Sequence, residues 1–243
     1  MNNTMSNISG IHPRLGFVLI AGAGLEAWVW RDVTQRLSLP SLTISFPTPE
    51  AKKSMSLEDY TRTALEQIKT WDGADQYIIV GHSIGAIIAL ELTQSLGGRV
   101  AAVAAIGSII PKREQSFFSA LPFPQNILLP LVTKLAGTKP PENALKKAYC
   151  NDLSETQTAE VIQHFSPESY ALYVDPLTAE LPDTPRLYVT LSKDENTPPS
   201  LQKVMANHFN ATETISLDTG HLAMLAQPEE LAQIVNDFAA PLR

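Results

Sequence analysis

Along the first hundred residues, short continuous apolar runs alternate with stretches in which apolar positions recur every three or four residues. Phe17-Val18-Leu19-Ile20 is such a run, ended by Ala21-Gly22-Ala23-Gly24, and it predicts a strand buried on both faces. Residues 26–37 carry helical spacing, and 42–46 read as a second strand closed by Pro47 and Pro49. Ser56 then caps a helix in which Leu57, Tyr60, Ala64, Leu65 and Ile68 share one side, with Asp59 three residues after the cap. Residues 77–81 predict a third buried strand, 84–96 a helix and 100–106 a fourth strand. The order βαβαβαβ implies a parallel sheet with helices on both faces.

At Pro111 the rhythm stops. From there to Pro185 the pattern holds no convincing strand, only short helical pieces divided by prolines. The alternation resumes with a strand at 186–191, a helix at 199–208, a strand at 213–217 and a helix at 228–238. The expected organisation is therefore a loose tail at 1–12, an α/β core of 13–110 and 186–243, and a helical cap at 111–185. An insertion at the carboxyl edge of a parallel sheet lies where such sheets bind ligands, which makes it a lid.

Composition narrows the function. The chain has 243 residues, 44% of them hydrophobic and 18% charged, enough for one large folded domain. Its formal charge of −7 argues against a nucleic-acid or anionic-membrane surface, either of which needs a basic stripe. A single cysteine, Cys150, excludes an internal disulfide and a thiolate zinc cluster. The first dozen residues lack the basic and apolar blocks of a signal peptide, and no apolar run reaches membrane length. The expectation is a cytoplasmic enzyme or small-molecule binder. Ten of the 18 prolines fall between 111 and 185, where Gly137 is the only glycine.

The most informative residues are Gly81-His82-Ser83-Ile84-Gly85, a G-x-S-x-G string with a buried strand before it and a helix after. A serine on so sharp a turn needs neighbours two positions away that lack a Cβ. Its Oγ is then exposed above a helix N-terminus. A serine also needs a base, and the base an orienting acid, in the chain order Ser, Asp or Glu, His. Among five histidines only His221 closely follows a late strand, behind Gly220. His82 is expected to point away from the serine, and His164 and His208 fall in helical stretches. Asp194 and Glu195 compete for the acid after the strand at 186–191; Asp194, shorter and nearer the strand end, is favoured, and Asp218 reads as a turn residue. The Ile84 N–H is one expected oxyanion donor, and the glycine-rich loop at 21–24 should supply another. That loop lacks the third glycine of a dinucleotide fingerprint and the lysine of a P-loop.

These features resemble the α/β-hydrolases, and within them the plant-type methylesterase and hydroxynitrile-lyase group. Phe17 to Ala23 is similar to that group's F-V-L-V-H-G-A opening, and Trp28 and Trp30 repeat its W-x-W. Ser166-Pro167-Glu168 resembles its S-P-E-D, and Asp194 falls on the acid of its D-K-x-x-P loop. Gly220-His221-Leu222-Ala223-Met224-Leu225 is similar to D-H-M-A-M-L, with Pro228 and Glu229 matching beyond. The resemblance implies Ser83 as nucleophile, Asp194 as orienting acid, His221 as base, and the N–H groups of Ala23 and Ile84 as the oxyanion hole. It departs at Ala21, where the group carries histidine. The lyases carry threonine at Gly22 and lysine at Leu222, so this chain lacks both the side-chain donor and the charge that cyanohydrin cleavage requires.

The expected activity is hydrolysis of a small apolar, aromatic or methyl ester through an acyl-enzyme, with no metal or organic cofactor. Gly22, Leu222, Phe117, Phe118, Phe123 and Leu128 are the expected substrate-binding positions, the last four as an apolar roof. The competing expectation for any one roof residue is that it glues the lid to the body. Alternative readings are an amide, carbamate or lactone hydrolase with the same triad, a lyase, or a non-catalytic ligand receptor. The expected partner is a small-molecule ester, and the resemblance admits a homodimer.

Overall fold

The computed structural model describes residues 13–243; the tail expected at 1–12 lies outside the described residues. Six parallel strands form one sheet in the order β2-β1-β3-β4-β5-β6. They are β1 (Leu15–Ile20), β2 (Ser41–Thr43), β3 (Gln76–His82), β4 (Val100–Ile106), β5 (Arg186–Leu191) and β6 (Glu213–Leu217). The sequence reversal between β2 and β3, on either side of β1, opens a crevice at the carboxyl ends of β1 and β3, where open α/β sheets bind ligands.

Alternation along the strands assigns each side chain to one of two apolar layers. Val18, Ile20, Ile79, Val103, Ala105 and Tyr188 face one layer, closed by α3 (Leu57–Thr70), α4 (Gly85–Leu96) and α9 (Pro199–His208). Phe17, Leu19, Ile78, Val80, Ala104 and Val189 face the other, closed by α1 (Arg31–Thr34), α10 (Ala223–Ala226) and α11 (Pro228–Ala239). β1 is buried along its whole length, as its uninterrupted apolar run requires.

Two expectations are corrected near β1. The helix expected at 26–37 is a 3-10 turn, Ala27–Trp30, running into the single turn of α1. Val29 and Trp30 on this turn are both fully buried. The strand expected at 42–46 stops at Thr43, because β2 is an edge strand with only β1 to pair with. The short α2 (Pro49–Lys52) follows. The Ser56 cap forms as expected: its side chain accepts from the Asp59 N–H while the Asp59 carboxylate accepts from the Ser56 N–H.

Between β4 and β5 the described chain has no strand. It carries α5 (Gln125–Ala136), α6 (Glu142–Tyr149), α7 (Glu155–His164) and α8 (Ala171–Val174). α7 begins with a Ser154–Gln157 capping box, and Val161 is its buried residue. α5 buries none of its residues. Among the described residues, no helix is long and apolar enough to cross a membrane.

Candidate active site

Ser83 follows β3 directly and precedes α4, and its backbone sits at φ +52°, a left-handed conformation that costs a non-glycine residue energy. The steric requirement inferred for its neighbours is visible. A Cβ on Gly81 would enter the backbone of Ala86, and one on Gly85 would stand 2.5 Å from the Ala21 carbonyl oxygen. The turn after β3 and the loop after β1 are therefore packed backbone to backbone. A Cβ on Gly22 would lie 3.0 Å from Ser83 Cβ and 2.7 Å from His82 Nδ1.

Among the described residues, neither the Ala23 nor the Ile84 N–H has a hydrogen-bond partner. Neighbouring groups are engaged: the Ser83 N–H donates to the Ile106 carbonyl at 3.0 Å, and the Leu25 N–H to the Gly22 carbonyl at 3.1 Å. Two free donors in the loops that flank a serine on a strained turn are an arrangement that could receive an oxyanion. Gly22, Ala23 and Ile84 line a narrow cavity, together with Phe46, Tyr60, Glu168 and Leu172, with room for about one water molecule.

His221 and Asp194 meet as an ion-pair-competent couple, the His221 Nδ1–H donating to Asp194 Oδ2 at 2.8 Å, both side chains fully buried. The other Asp194 oxygen accepts the N–H groups of Asn196 and Thr197, each at 2.8 Å. Gln202 fastens the loop, donating to the Thr197 carbonyl at 2.6 Å and accepting from the Leu191 N–H at 2.8 Å. Because Nδ1 carries the proton, Nε2 is the acceptor; Asn196 Nδ2 approaches it at 3.3 Å. Ser83 Oγ makes no hydrogen bond among the described residues, so serine and histidine are not joined in this conformation. Glu195 is exposed, and Asp218 is a surface residue paired with Lys193 at 2.7 Å.

His82 does not point away from the site, which corrects the expectation. Its ring packs on His221 with centroids 4.7 Å apart, and its Nε2–H donates to the His221 carbonyl at 2.9 Å. Full burial, with His221 beside it, holds its pKa well below the usual histidine value, so the ring is neutral. His164 packs on Trp28 and His208 on the Ile110 carbonyl, both outside the site.

The substrate-binding expectations divide. Gly22 lies in the cavity wall, and Leu222 is fully buried in an apolar layer beside His221. Phe118 is buried in an aromatic cluster with Phe117, Tyr170 and Tyr173, all within the insertion, and Phe117 and Tyr173 pack in turn against the apolar layer of the body. Phe123 and Leu128 are corrected: they are 78% and 53% exposed, on or beside the unburied α5, and lie outside the cavity beside Gly22, Ala23 and Ile84. Ile127, Leu129 and Leu131 share that exposed helix.

Several residues at the site carried no signal in the sequence reading. The Tyr149 ring stands edge-on to His221 at 5.0 Å, and burial with Asp194 nearby pushes its phenol up to about 12. Asn151 Nδ2 donates to the Lys193 carbonyl at 2.7 Å, beside Asp194. Asp152 Oδ2 accepts from the Thr219 hydroxyl at 2.7 Å and from the Gly220 N–H at 2.5 Å, beside His221. Gly220 is glycine because this pair leaves no room: a Cβ there would lie 2.5 Å from Asp152 Oδ1. These contacts join residues 42 to 72 positions apart, which explains their silence in local patterns.

Residues 17–234 match the model of the alpha/beta hydrolase family. The chain is 23% identical to norfluorocurarine synthase 1 of Strychnos nux-vomica, with 92% of this chain and 94% of that protein covered. It is 24% identical to methylesterase 7 of Arabidopsis thaliana, over 92% of this chain and 95% of the relative. Among solved structures, an extracellular alpha/beta-hydrolase from a Paenibacillus species superposes with a TM-score of 0.80 at 19% identity, covering 92% of this chain and 98% of that one.

Proposed function

The chain belongs to the alpha/beta hydrolase family, and from that premise we propose that it is a serine hydrolase of small apolar carboxylic esters acting through an acyl-enzyme on Ser83. The observation that carries this reading is the left-handed Ser83 backbone beside the two unpartnered N–H groups of Ala23 and Ile84. Likeness over most of its length to a methylesterase supports the ester as the bond cleaved.

In the reaction, the Asn196 amide yields the Nε2 edge of His221 to the serine hydroxyl. Ser83 Oγ attacks the ester carbonyl as His221 takes its proton. Asp194 holds the imidazole in the Nδ1–H tautomer and stabilises the imidazolium that forms. The Ala23 and Ile84 N–H groups receive the oxyanion. His221 then protonates the leaving alcohol, and water repeats the sequence to release the acid. Cyanohydrin cleavage is disfavoured because Gly22 offers no side-chain donor and Leu222 no charge.

A panel of p-nitrophenyl and methyl esters beside an amide, a carbamate and mandelonitrile tests the leaving-group chemistry. Ester turnover without cyanide release is expected. Preferred cleavage of the amide or carbamate, or cyanide from mandelonitrile, overturns the ester reading.

A further inference from the structure

A group of charged and polar side chains unused in the acyl transfer is buried where the insertion meets the loop after β1. Lys52, at the end of α2, is fully buried, a rare state for lysine. Its ammonium donates to Glu26 Oε1 at 3.0 Å, to Ser166 Oγ at 2.9 Å and to Glu168 Oε1 at 2.9 Å. The second Glu168 oxygen accepts from the Tyr60 hydroxyl at 2.7 Å. Burial, with Glu168 adjacent, raises the Tyr60 pKa, so the phenol remains a donor.

The cluster ends on one residue. Glu168 Oε1 also accepts the Gly24 N–H at 3.1 Å, and the Gly24 carbonyl accepts the Ser166 N–H at 3.0 Å. Gly24 sits at φ +76°, with the Phe165 ring occupying the place of a side chain. Both polar groups of the residue after Ala23 are thus held by the segment 165–168. Tyr60 and Glu168 line the same small cavity as Gly22, Ala23 and Ile84. A buried ion pair is a poor source of net stability compared with apolar packing, because desolvating two charges offsets their attraction. What this one does supply is a fixed direction for the Gly24 N–H.

We propose that Glu168, held by Lys52 and Tyr60, is a positioning residue for the oxyanion loop. Its carboxylate takes the Gly24 N–H away from the reacting carbonyl and fixes the Ala23–Gly24 peptide, so that the Ala23 N–H is the loop's donor. The insertion then sets the catalytic loop besides covering it. This rests on the serine-hydrolase reading. A device that orients an oxyanion donor acts on the transition state, so its loss lowers kcat and leaves KM nearly unchanged.

The test uses the full chain, with reactive serine counted by a fluorophosphonate and kcat expressed per labelled serine for a p-nitrophenyl ester. Glu168→Gln keeps the shape and removes the charge, and is expected to lower kcat about tenfold or more with KM within about twofold. Tyr60→Phe removes one donor to the carboxylate and should lower kcat about threefold; it carries the test if Glu168→Gln does not melt cooperatively. Glu160→Gln breaks the surface pair of α7 with Arg31 and should leave kcat unchanged. Wild-type kcat per labelled serine in both cluster variants overturns the proposal, as does an equal loss in Glu160→Gln, which would mean general loosening of the insertion. A rise in KM with kcat intact also overturns it. Each of those results leaves the hydrolase reading standing. Wild type that fails to label overturns the hydrolase reading, and this inference with it.

Discussion

Gly85 offers the sharpest perturbation of the contact between the two catalytic loops. In Gly85→Ala the new Cβ would lie 2.5 Å from the Ala21 carbonyl oxygen and 2.8 Å from that of Ile20. Both are backbone atoms and neither can rotate aside. Ordinary contact begins near 3.4 Å, so the loop after β1 must retreat by about 0.9 Å (3.4 − 2.5). That shift carries Gly22 and Ala23 with it and misplaces one proposed oxyanion donor. Losing such a donor costs about 3–4 kcal/mol of transition-state stabilisation, or on the order of 10²–10³ in kcat. Stability should change less. Alanine is favoured over glycine in a helix interior by about 1 kcal/mol, and at Gly85, the first residue of α4, a fraction of that offsets part of the strain. The assay is ester turnover per labelled serine, beside urea denaturation. A folded Gly85→Ala protein with wild-type kcat would refute the view that this contact sets the oxyanion hole.

Three further outcomes follow from the same geometry. Asp194→Asn should retain the fold and lose on the order of 10⁴ in kcat, because the His221 tautomer is no longer held; steady-state kinetics checks it. Asp152→Ala removes the acceptor for the Thr219 hydroxyl and the Gly220 N–H, and should lower kcat about tenfold while Asp152→Asn restores part of it, read in the same assay. For His82 the folded pKa is depressed by burial, so below about pH 6.5 the unfolded chain binds a proton that the folded chain refuses. Its stabilising contribution is present above that pH and is lost as pH falls, by about 1.4 kcal/mol per unit, until the depressed folded pKa is reached. Urea unfolding from pH 7 to 5 should show this slope in wild type and a shallower one in His82→Gln.

The legible part of this molecule is the part whose physics is local. β4, β5 and β6 have the limits read from their apolar runs, and α9 runs from Pro199 to His208 as its spacing and flanking prolines indicate. The meeting of Asp194 with His221 was readable because each follows the end of a parallel strand, and adjacent β5 and β6 bring those ends together. Ser83 was readable because a strained turn demands glycines at fixed offsets. The Lys52–Glu168 pair was not, since 116 residues separate the two and nothing near Lys52 distinguishes it from the exposed Lys53. Glu168 did carry a signal, its place in Ser166-Pro167-Glu168, though no local pattern could say what it touches. The apolar run through α5 misled for a related reason: hydrophobicity marks surface that leaves water somewhere, and Phe123 and Leu128 are not covered by any of the described residues.

The central claim, that Ser83 is an activated nucleophile, is tested most directly by intact mass after incubation with a fluorophosphonate, followed by peptide mapping. Wild type should gain one phosphonyl adduct on the peptide containing Ser83, and Ser83→Ala should gain none. An unlabelled wild type, or an adduct that persists in folded Ser83→Ala, would contradict it.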